Sequence, residues 1–404
     1  MALAVAAMTA ALALAPSTSQ AGSTTAFMSG YTQAQATFSG GVSRTSTGAL
    51  TYQQGFSDPT ILAELEGLIT RADPGSWINI SIFRIANDGR IERALQEAEA
   101  DGVNVWIVYG NTDGALNGHP HVRVCPKACL SSQPDGIMHA KLATFSSTHR
   151  SPGSPATKAT WVSSANLDAN TGPEAFNNSI TWFGPDEMYD RVSKVMQDMW
   201  NGPVVASDYH RPNLGEGYGY FNIDAARVYG HVSPEATQDL WADRLTQVKS
   251  PSEGGISPCL VRVAQAYFGD GLLDKDGNGS EDYANPAAEL ARLKYGGCNV
   301  AVLGHRRPGT NETNTGDATT AKLCAAGIPV RSIEKLHHKF AITSGSYVGA
   351  TSSPQVITGS HNMTKDALRW NDEMMVRVNG SQALFDAYNN HFYEMWLFSE
   401  DECA

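Results

Sequence analysis

The hydrophobic pattern outlines the elements before any single residue does. A helix-like stretch from Thr60 to Ala72 leads into a short apolar run, Trp77 to Arg84, with the length and branched side chains of a strand. An amphipathic stretch from Gly89 to Ala100 and a second apolar run, Val103 to Val108, complete a βαβ unit. The pattern returns later, with a strand at Leu260 to Phe268, a helix at Pro286 to Tyr295 and a strand at Asn299 to Leu303. The predicted fold class is therefore α/β, with two related halves, each a largely parallel or mixed sheet flanked by helices. The expected halves are residues 22–201 and 256–404. Residues 202–255, rich in Pro, Gly, Ser and Tyr, connect them, and whether they form a lid is open.

The halves are a repeat. Gly102-Val103-Asn104-Val105 is echoed by Gly297-Cys298-Asn299-Val300 at an offset of 195. His139-Ala140-Lys141 is echoed by His337-His338-Lys339 at 198, Ser164-Ala165-Asn166 by Ser360-His361-Asn362 at 196, and Met199-Trp200 by Met395-Trp396 at 196. Matches in one order and nearly constant register mark an internal duplication.

Composition narrows the class. Residues Met1 to Ala15 are almost wholly apolar, and Ser19-Gln20-Ala21 follows as a small-x-small stretch, so residues 1–21 are expected to be a signal peptide and the mature protein to be secreted, although the usual basic residue ahead of the apolar run is missing. An exported chain favours disulfides among the even set Cys125, Cys129, Cys259, Cys298, Cys324 and Cys403. Sequence allows 15 connectivities; pairing within regions suggests Cys125 with Cys129, Cys298 with Cys324, and Cys259 with Cys403. A net charge of -12 argues against a protein that coats nucleic acid but leaves room for a locally positive pocket.

The chemistry sits in the repeated motifs. Residues i and i+2 of a strand share a face, so His139 and Lys141 can aim at one point, as can His337 and Lys339, while His338 must face away. Ser164 with Asn166, and Ser360 with Asn362, can present paired hydrogen-bond donors in the same way. Displacement at a phosphodiester needs a nucleophile, a proton donor for the leaving oxygen and fixed donors on the non-bridging oxygens. Two imidazoles, two ammonium groups and the Ser/Asn pairs supply that set, one His attacking phosphorus and the other protonating the alcohol, with no cofactor required.

These residues resemble the phospholipase D superfamily, known by HxKxxxxD followed by GSxN. Thr358-Gly359-Ser360-His361-Asn362 with Asn371-Asp372-Glu373 downstream is the most specific part, and the chain is similar to the secreted actinobacterial branch of that family. The resemblance implies two phospholipase D-like α/β/α halves sharing one site, with His139 as nucleophile, His337 as general acid and Glu373 hydrogen-bonded to an active-site His. It also implies departures. The motif Asp is Ser146 and Ser344, the leading Gly of the first GSxN is Ser163, and the first-half position matched to Glu373 is Ser179, which would leave His139 without an orienting partner. The implied substrate is a phospholipid head group, met in transient contact with a membrane surface, with no obligate protein partner. The alternatives are a secreted endonuclease acting on nucleic acid and a non-catalytic binding protein of the same fold.

Other clusters admit two readings. His119 and His121 with Cys125 and Cys129 read as a zinc cluster or as a disulfide-closed loop around Pro120. Asp274, Asp276, Asn278, Ser280 and Asp282 match the front of a calcium loop, with Asn285 at the last position in place of Glu, and equally a solvated acidic loop. Phe83, Tyr267, Phe268 and Trp370 follow strands or motif residues and read as cleft mouth or as packing.

Overall fold

Strand and helix alternate where the two rhythms alternate. In the first half the helix Thr60–Thr70 is followed by the strand Trp77–Ile82, the helix Arg90–Ala100 and the strand Asn104–Tyr109. In the second, the strand Leu260–Gln265, the helix Pro286–Tyr295 and the strand Asn299–Arg306 repeat the unit. The computed structural model describes residues 22–404 apart from 46, 87–88, 114, 204, 206–208, 210–219, 236–237, 275–277, 283–284 and 350–352. The expected signal peptide lies outside the described residues, as do Asp276 and part of the connecting region 202–255. No described helix is long and apolar enough to cross a membrane.

Both sheets are mixed. The first runs Ser23–Ser29, Thr32–Ser39, Asn177–Phe183, Ala156–Ser163, Leu142–His149, Trp77–Ile82, Asn104–Tyr109, Val122–Val124; the second has nine strands in the matching order. Only the βαβ strands and their outer neighbour pair in parallel: Trp77–Ile82 with Asn104–Tyr109, and that strand with Val122–Val124. The other described pairs of the first sheet are antiparallel, so of the two expected forms, largely parallel or mixed, the sheet takes the mixed one. The cause is connection length: Leu142–His149, Ala156–Ser163 and Asn177–Phe183 follow one another without a crossover helix, so each must reverse. Part of the connecting region belongs to the second sheet, where Val228–Ser233 pairs with Glu373–Asn379 as Thr32–Ser39 pairs with Asn177–Phe183.

Three apolar clusters hold the layers. Ile61, Leu65, Ile80, Leu95 and Ile107 pack the first sheet against its two outer helices, and Leu245, Val263, Leu290, Val302 and Leu323 do so for the second. Between the sheets, Phe38, Trp182, Val195, Phe340, Val376 and Tyr388 form one shared cluster with the helices Asp186–Asn201 and Gln382–Trp396. Each large apolar side chain buried there contributes roughly 1.5–3 kcal/mol over its exposed state.

The disulfides are Cys125–Cys129, Cys259–Cys298 and Cys324–Cys403. The first agrees with the expected pairing; the other two exchange partners. Parallel register explains the exchange, because Leu260 stands opposite Asn299 and so sets the preceding residues, Cys259 and Cys298, side by side. Cys324, on the helix Asp317–Ala325, is left to Cys403, whose chain end returns to pair with Val330–Glu334.

Candidate active site

The backbone places both His-x-Lys pairs at the carboxyl ends of parallel strands, where open α/β sheets form their clefts. Ser81 lies opposite Leu142, so His139 and Lys141, just ahead of that residue, lie beyond the end of Trp77–Ile82; Gln265 lies opposite Lys339 in the same way. Here the halves join. His139 N donates to Asp372 O at 3.0 Å and Asp372 N donates to Ile137 O at 2.9 Å; His337 N donates to Phe176 O at 2.9 Å and Phe176 N to Lys335 O at 2.9 Å. Each motif is thus stitched to the strand that follows the other half's Ser-x-Asn, so the two pairs face one seam.

That exchange decides which side chain orients which imidazole. His139 Nδ1 lies 2.7 Å from Glu373 Oε1, and His337 Nδ1 lies 2.9 Å from Asn177 Oδ1. Ser360 Oγ donates to the second Glu373 oxygen at 2.5 Å, and Ser164 Oγ donates to Asn177 Oδ1 at 2.9 Å. The expected match of Ser179 to Glu373 is therefore wrong: the counterpart is Asn177, and Ser179 bonds Glu64 at 2.6 Å away from the seam. The offset of 196 that relates Ser164 to Ser360 also relates Asn177 to Glu373, and a two-residue slip keeps the same strand face, so facing alone could not expose the error. His139 is not without a partner. The half that lacks a carboxylate serves His337.

Hydrogen-bond bookkeeping fixes the tautomers. Burial works against the charge on Glu373, yet His139 beside it, followed by His361 and Lys141, holds its carboxyl below the usual range; an ionised carboxylate only accepts, so His139 Nδ1 carries the proton and Nε2 keeps its lone pair. Asn177 Nδ2 donates to the carbonyls of Thr171, Gly172 and Ala175 at 3.1, 3.0 and 3.3 Å, which aims its oxygen at His337. His337 Nδ1 therefore also donates, and its Nε2 is also free.

The seam repels added protons until an anion arrives. Burial pulls His139 down to about 4, with Glu373 opposing. His337 lies well below its ordinary value, first through burial and then through Lys339, Lys141, His139 and His305. Burial also lowers Lys141 to about 7, with Glu373 and Asp168 opposing and Arg84 adding to it, and lowers Lys339 well below the normal lysine range, with Lys141 adding to it. Their ammonium groups donate to the carbonyls of His139 and His337 at 2.7 and 2.8 Å.

The expected site residues separate into two groups. His139, Lys141, His337 and Lys339 converge, whereas the Ser164 and Ser360 hydroxyls are spent on Asn177 and Glu373 and are not paired donors toward the cleft. Asn166 donates to Thr171 Oγ1 at 2.7 Å, and the amide oxygens of Asn166 and Asn362 are buried without a partner, which leaves those amides capacity for a bound group. The Gly359 to Ser163 difference has a local cause: Gly359 has φ +142° and a Cβ there would stand 2.1 Å from Met374 O, whereas Ser163 bonds Asn178 O at 2.9 Å. Ser146, in place of the motif Asp, accepts from Trp77 N at 2.8 Å and ties two strands together. His338 faces inward as expected, between Asn178 and His391 at 2.9 Å each.

Phe83 lies at the mouth, its ring 5.4 Å from that of His139, and Tyr267 is exposed; Phe268 is core. His305 was not foreseen. It lies in the last two residues of the parallel strand Asn299–Arg306, donates to Leu336 O at 3.0 Å one residue before His337, and is lowered to about 4 by burial, with Lys339 among the lesser causes. His119 sits between Glu99 and Glu92 and His121 stacks on Trp106, so with Cys125 and Cys129 oxidised the zinc reading fails. Among the described residues of the calcium-like loop, Asp274 accepts from the N–H groups of Asn278 and Gly279, and Asn285 caps the next helix by accepting from Ala288 N. No group of three or more His, Cys, Asp or Glu among the described residues is arranged to hold a metal.

The sequence matches the phospholipase D-like domain of cardiolipin synthase over residues 261–396, and so over the second motif, its Glu373 and the closing helix. Phosphatidylserine synthase of Haemophilus influenzae shares the fold with a TM-score of 0.53 at 11% identity, over 85% of this chain and 86% of that one. Residues 261–396 thus carry a phospholipase D-like domain, and the chain as a whole shares that fold. Polyphosphate kinase of Porphyromonas gingivalis also aligns, at 12% identity and TM-score 0.46; the match covers 80% of this chain but only 45% of that kinase. A phospholipase D family member from Salmonella typhimurium, nuc, aligns at 20% identity and TM-score 0.32 over 43% of this chain and 96% of its own length. No curated protein matches the sequence. The likeness covers the second motif in sequence and both halves in fold; it leaves the substrate to be argued.

Proposed function

We propose that this chain is a phosphodiesterase that works through a phosphohistidine on His139, with His337 as the acid for the leaving alcohol, and that its substrate is the head-group diester of a phospholipid. The observation that carries the reading is the unequal pairing of the two imidazoles, Glu373 on His139 and Asn177 on His337. A carboxylate stabilises the positive charge that an imidazole acquires on attacking phosphorus, and a neutral amide does so less; an imidazole on an amide gives its proton away more readily.

His139 Nε2 attacks phosphorus, the bond to the leaving oxygen breaks, and that oxygen takes the proton from His337 Nε2. Water then attacks, gives its proton back to His337, and the phosphorus–nitrogen bond breaks to release a phosphomonoester. The phosphate supplies the missing anion: between Lys141 and Lys339 it favours their charged forms and raises His337, so the acid is charged when the diester is in place. The N–H groups of the Asn166 and Asn362 amides, rather than their acceptor oxygens, are assigned to the non-bridging oxygens. No step needs a metal.

The lipid reading rests on charge, since a chain of net -12 lacks the basic surface that a strand of phosphates rewards. Three disulfides suit the oxidising compartment in which the proposed secreted enzyme would work. Incubation with phosphatidylcholine vesicles and, separately, with single- and double-stranded DNA, each with and without EDTA, tests it. Head-group release that survives EDTA without DNA nicking is the expected result; nicking without head-group release would overturn the substrate in favour of a nuclease.

A further inference from the structure

A cavity of about 580 Å³ lies far from the seam, between the helix Asp186–Asn201 and the strands Trp77–Ile82 and Asn104–Tyr109. The duplication provides an internal control. Asn79 stands opposite Trp106 as Arg262 stands opposite Ala301, and the offset of 196 sets Met196 and Gln197 against Phe392 and Tyr393. In the second half that space is filled. The buried Arg262 donates to Tyr393 Oη at 2.9 Å and lies 5.5 and 5.9 Å from the ring centres of Tyr393 and Phe392. In the first half shorter side chains replace all three, and Leu260 is replaced by Trp77, which is 44% exposed.

We propose that this cavity is a binding site for a neutral saccharide. Its volume falls within the roughly 300–1,000 Å³ of small-molecule sites. The indoles of Trp77, Trp106 and Trp200 form its walls, with Trp106 and Trp200 tilted by 48° at 4.4 Å and His121 stacked on Trp106 at 5.3 Å. Asn79, Ser193 and Gln197 line it with neutral polar groups, and its charges, Asp190 and Lys194, are of opposite sign. Flat apolar walls beside neutral donors and acceptors match a pyranose, which offers C–H faces and hydroxyl edges at once. An acyl chain would desolvate these groups and offer no hydrogen bond beyond those that Asn79 and Ser193 already donate to Thr144 Oγ1 at 3.1 and 2.9 Å. An anion would find no excess of positive charge.

The site is separate from catalysis. Trp77 opens its strand and the seam lies past Ile82 at the other end, roughly 17 Å from the Trp77 edge at about 3.3 Å per residue, while the inner edge of the lining reaches Val108, opposite Ser81. A membrane held at the indoles would not reach His139. The site therefore anchors the protein to a glycan while the seam remains open.

The test copies the second half into the first. Calorimetric titration of the full chain with cellotriose, maltotriose and tri-N-acetylchitotriose, together with its tryptophan fluorescence, should show saturable binding of at least one at a Kd of about 1 mM or tighter. Asn79→Arg with Gln197→Tyr should weaken that binding at least about tenfold, with the melting curve and the turnover of bis(p-nitrophenyl) phosphate unchanged; Trp106→Ala carries the same expectation should the filled variant fold poorly. Failure of all three sugars to bind, binding that survives in a folded variant, or binding of sodium dodecanoate in their place would overturn the proposal.

Discussion

The two halves build one seam from the same backbone and then furnish it unequally. Main-chain bonds from His139 to Asp372 and from His337 to Phe176 are equivalent within 0.1 Å, at 3.0 and 2.9 Å, yet one imidazole rests on a carboxylate and the other on an amide. The sheet faces that pack against the helices Asp186–Asn201 and Gln382–Trp396 differ as well, open beside Asn79 and filled by Arg262. Duplication fixed where side chains point, and divergence at single positions gave the copies separate tasks. The comparison also explains why a motif residue serves the motif it does not follow: the strand after each Ser-x-Asn is hydrogen-bonded to the opposite His-x-Lys segment.

The comparison can be broken most sharply at the imidazoles. His139→Asn and His337→Asn should each lower turnover of an alkyl phosphodiester by about 10²–10⁴-fold. With p-nitrophenol as leaving group, which needs no proton, the first-turnover burst of nitrophenol release should recover in His337→Asn to within about tenfold of wild type and should not in His139→Asn, the later attack of water remaining slow. Equal recovery in both would remove the division of labour.

A smaller effect is expected one step back. Glu373→Gln should lower kcat by about 10–100-fold, through a less basic and less fixed His139, while Asn177→Ala should cost less, and the pH profile should move more for the first than for the second. Identical profiles would mean that the carboxylate acts only as packing.

Stability against pH gives a third test. His139 is neutral in the fold down to about 4, whereas in the unfolded chain it takes up a proton near 6.5. The unfolded state therefore binds more protons between those values, so this group makes the fold lose stability as pH falls from about 6.5 toward 4, and His139→Asn should flatten that descent in urea-unfolding midpoints. An unaltered slope would place the titration elsewhere.

The smallest contrast concerns the disulfides. Cys324–Cys403 spans 79 residues and Cys125–Cys129 spans 4. Loop entropy gives about 4–5 kcal/mol for the first and about 2 kcal/mol for the second. Serine pairs should reproduce that order in denaturant melts, while only the short loop, whose Cys129 and Leu130 N–H groups hold the Asp372 carboxylate, should also lower turnover.

Much of this was legible in the chain. The βαβ units announced themselves through periodicity and the seam through His-x-Lys and Ser-x-Asn at constant offset. What was not legible depended on contacts between distant segments. Glu373 is 234 residues from His139, and no local pattern shows that its strand crosses to the other half. Asn177 is within reach of the sequence, since the offset of 196 leads to it directly; Ser179, two residues on, shares that strand face. The exchanged disulfides followed from register between parallel strands, which sequence proximity does not report. His305 carries no motif and is distinguished only by where its strand ends.

The decisive measurement is the position of the covalent phosphate. Rapid mixing with a slowly hydrolysed phosphodiester, an alkaline quench to preserve phosphohistidine and peptide mass spectrometry should find the modification on the peptide that contains His139, and lose it in His139→Asn. Phosphate on His337 instead would contradict the roles that Glu373 and Asn177 are argued to set.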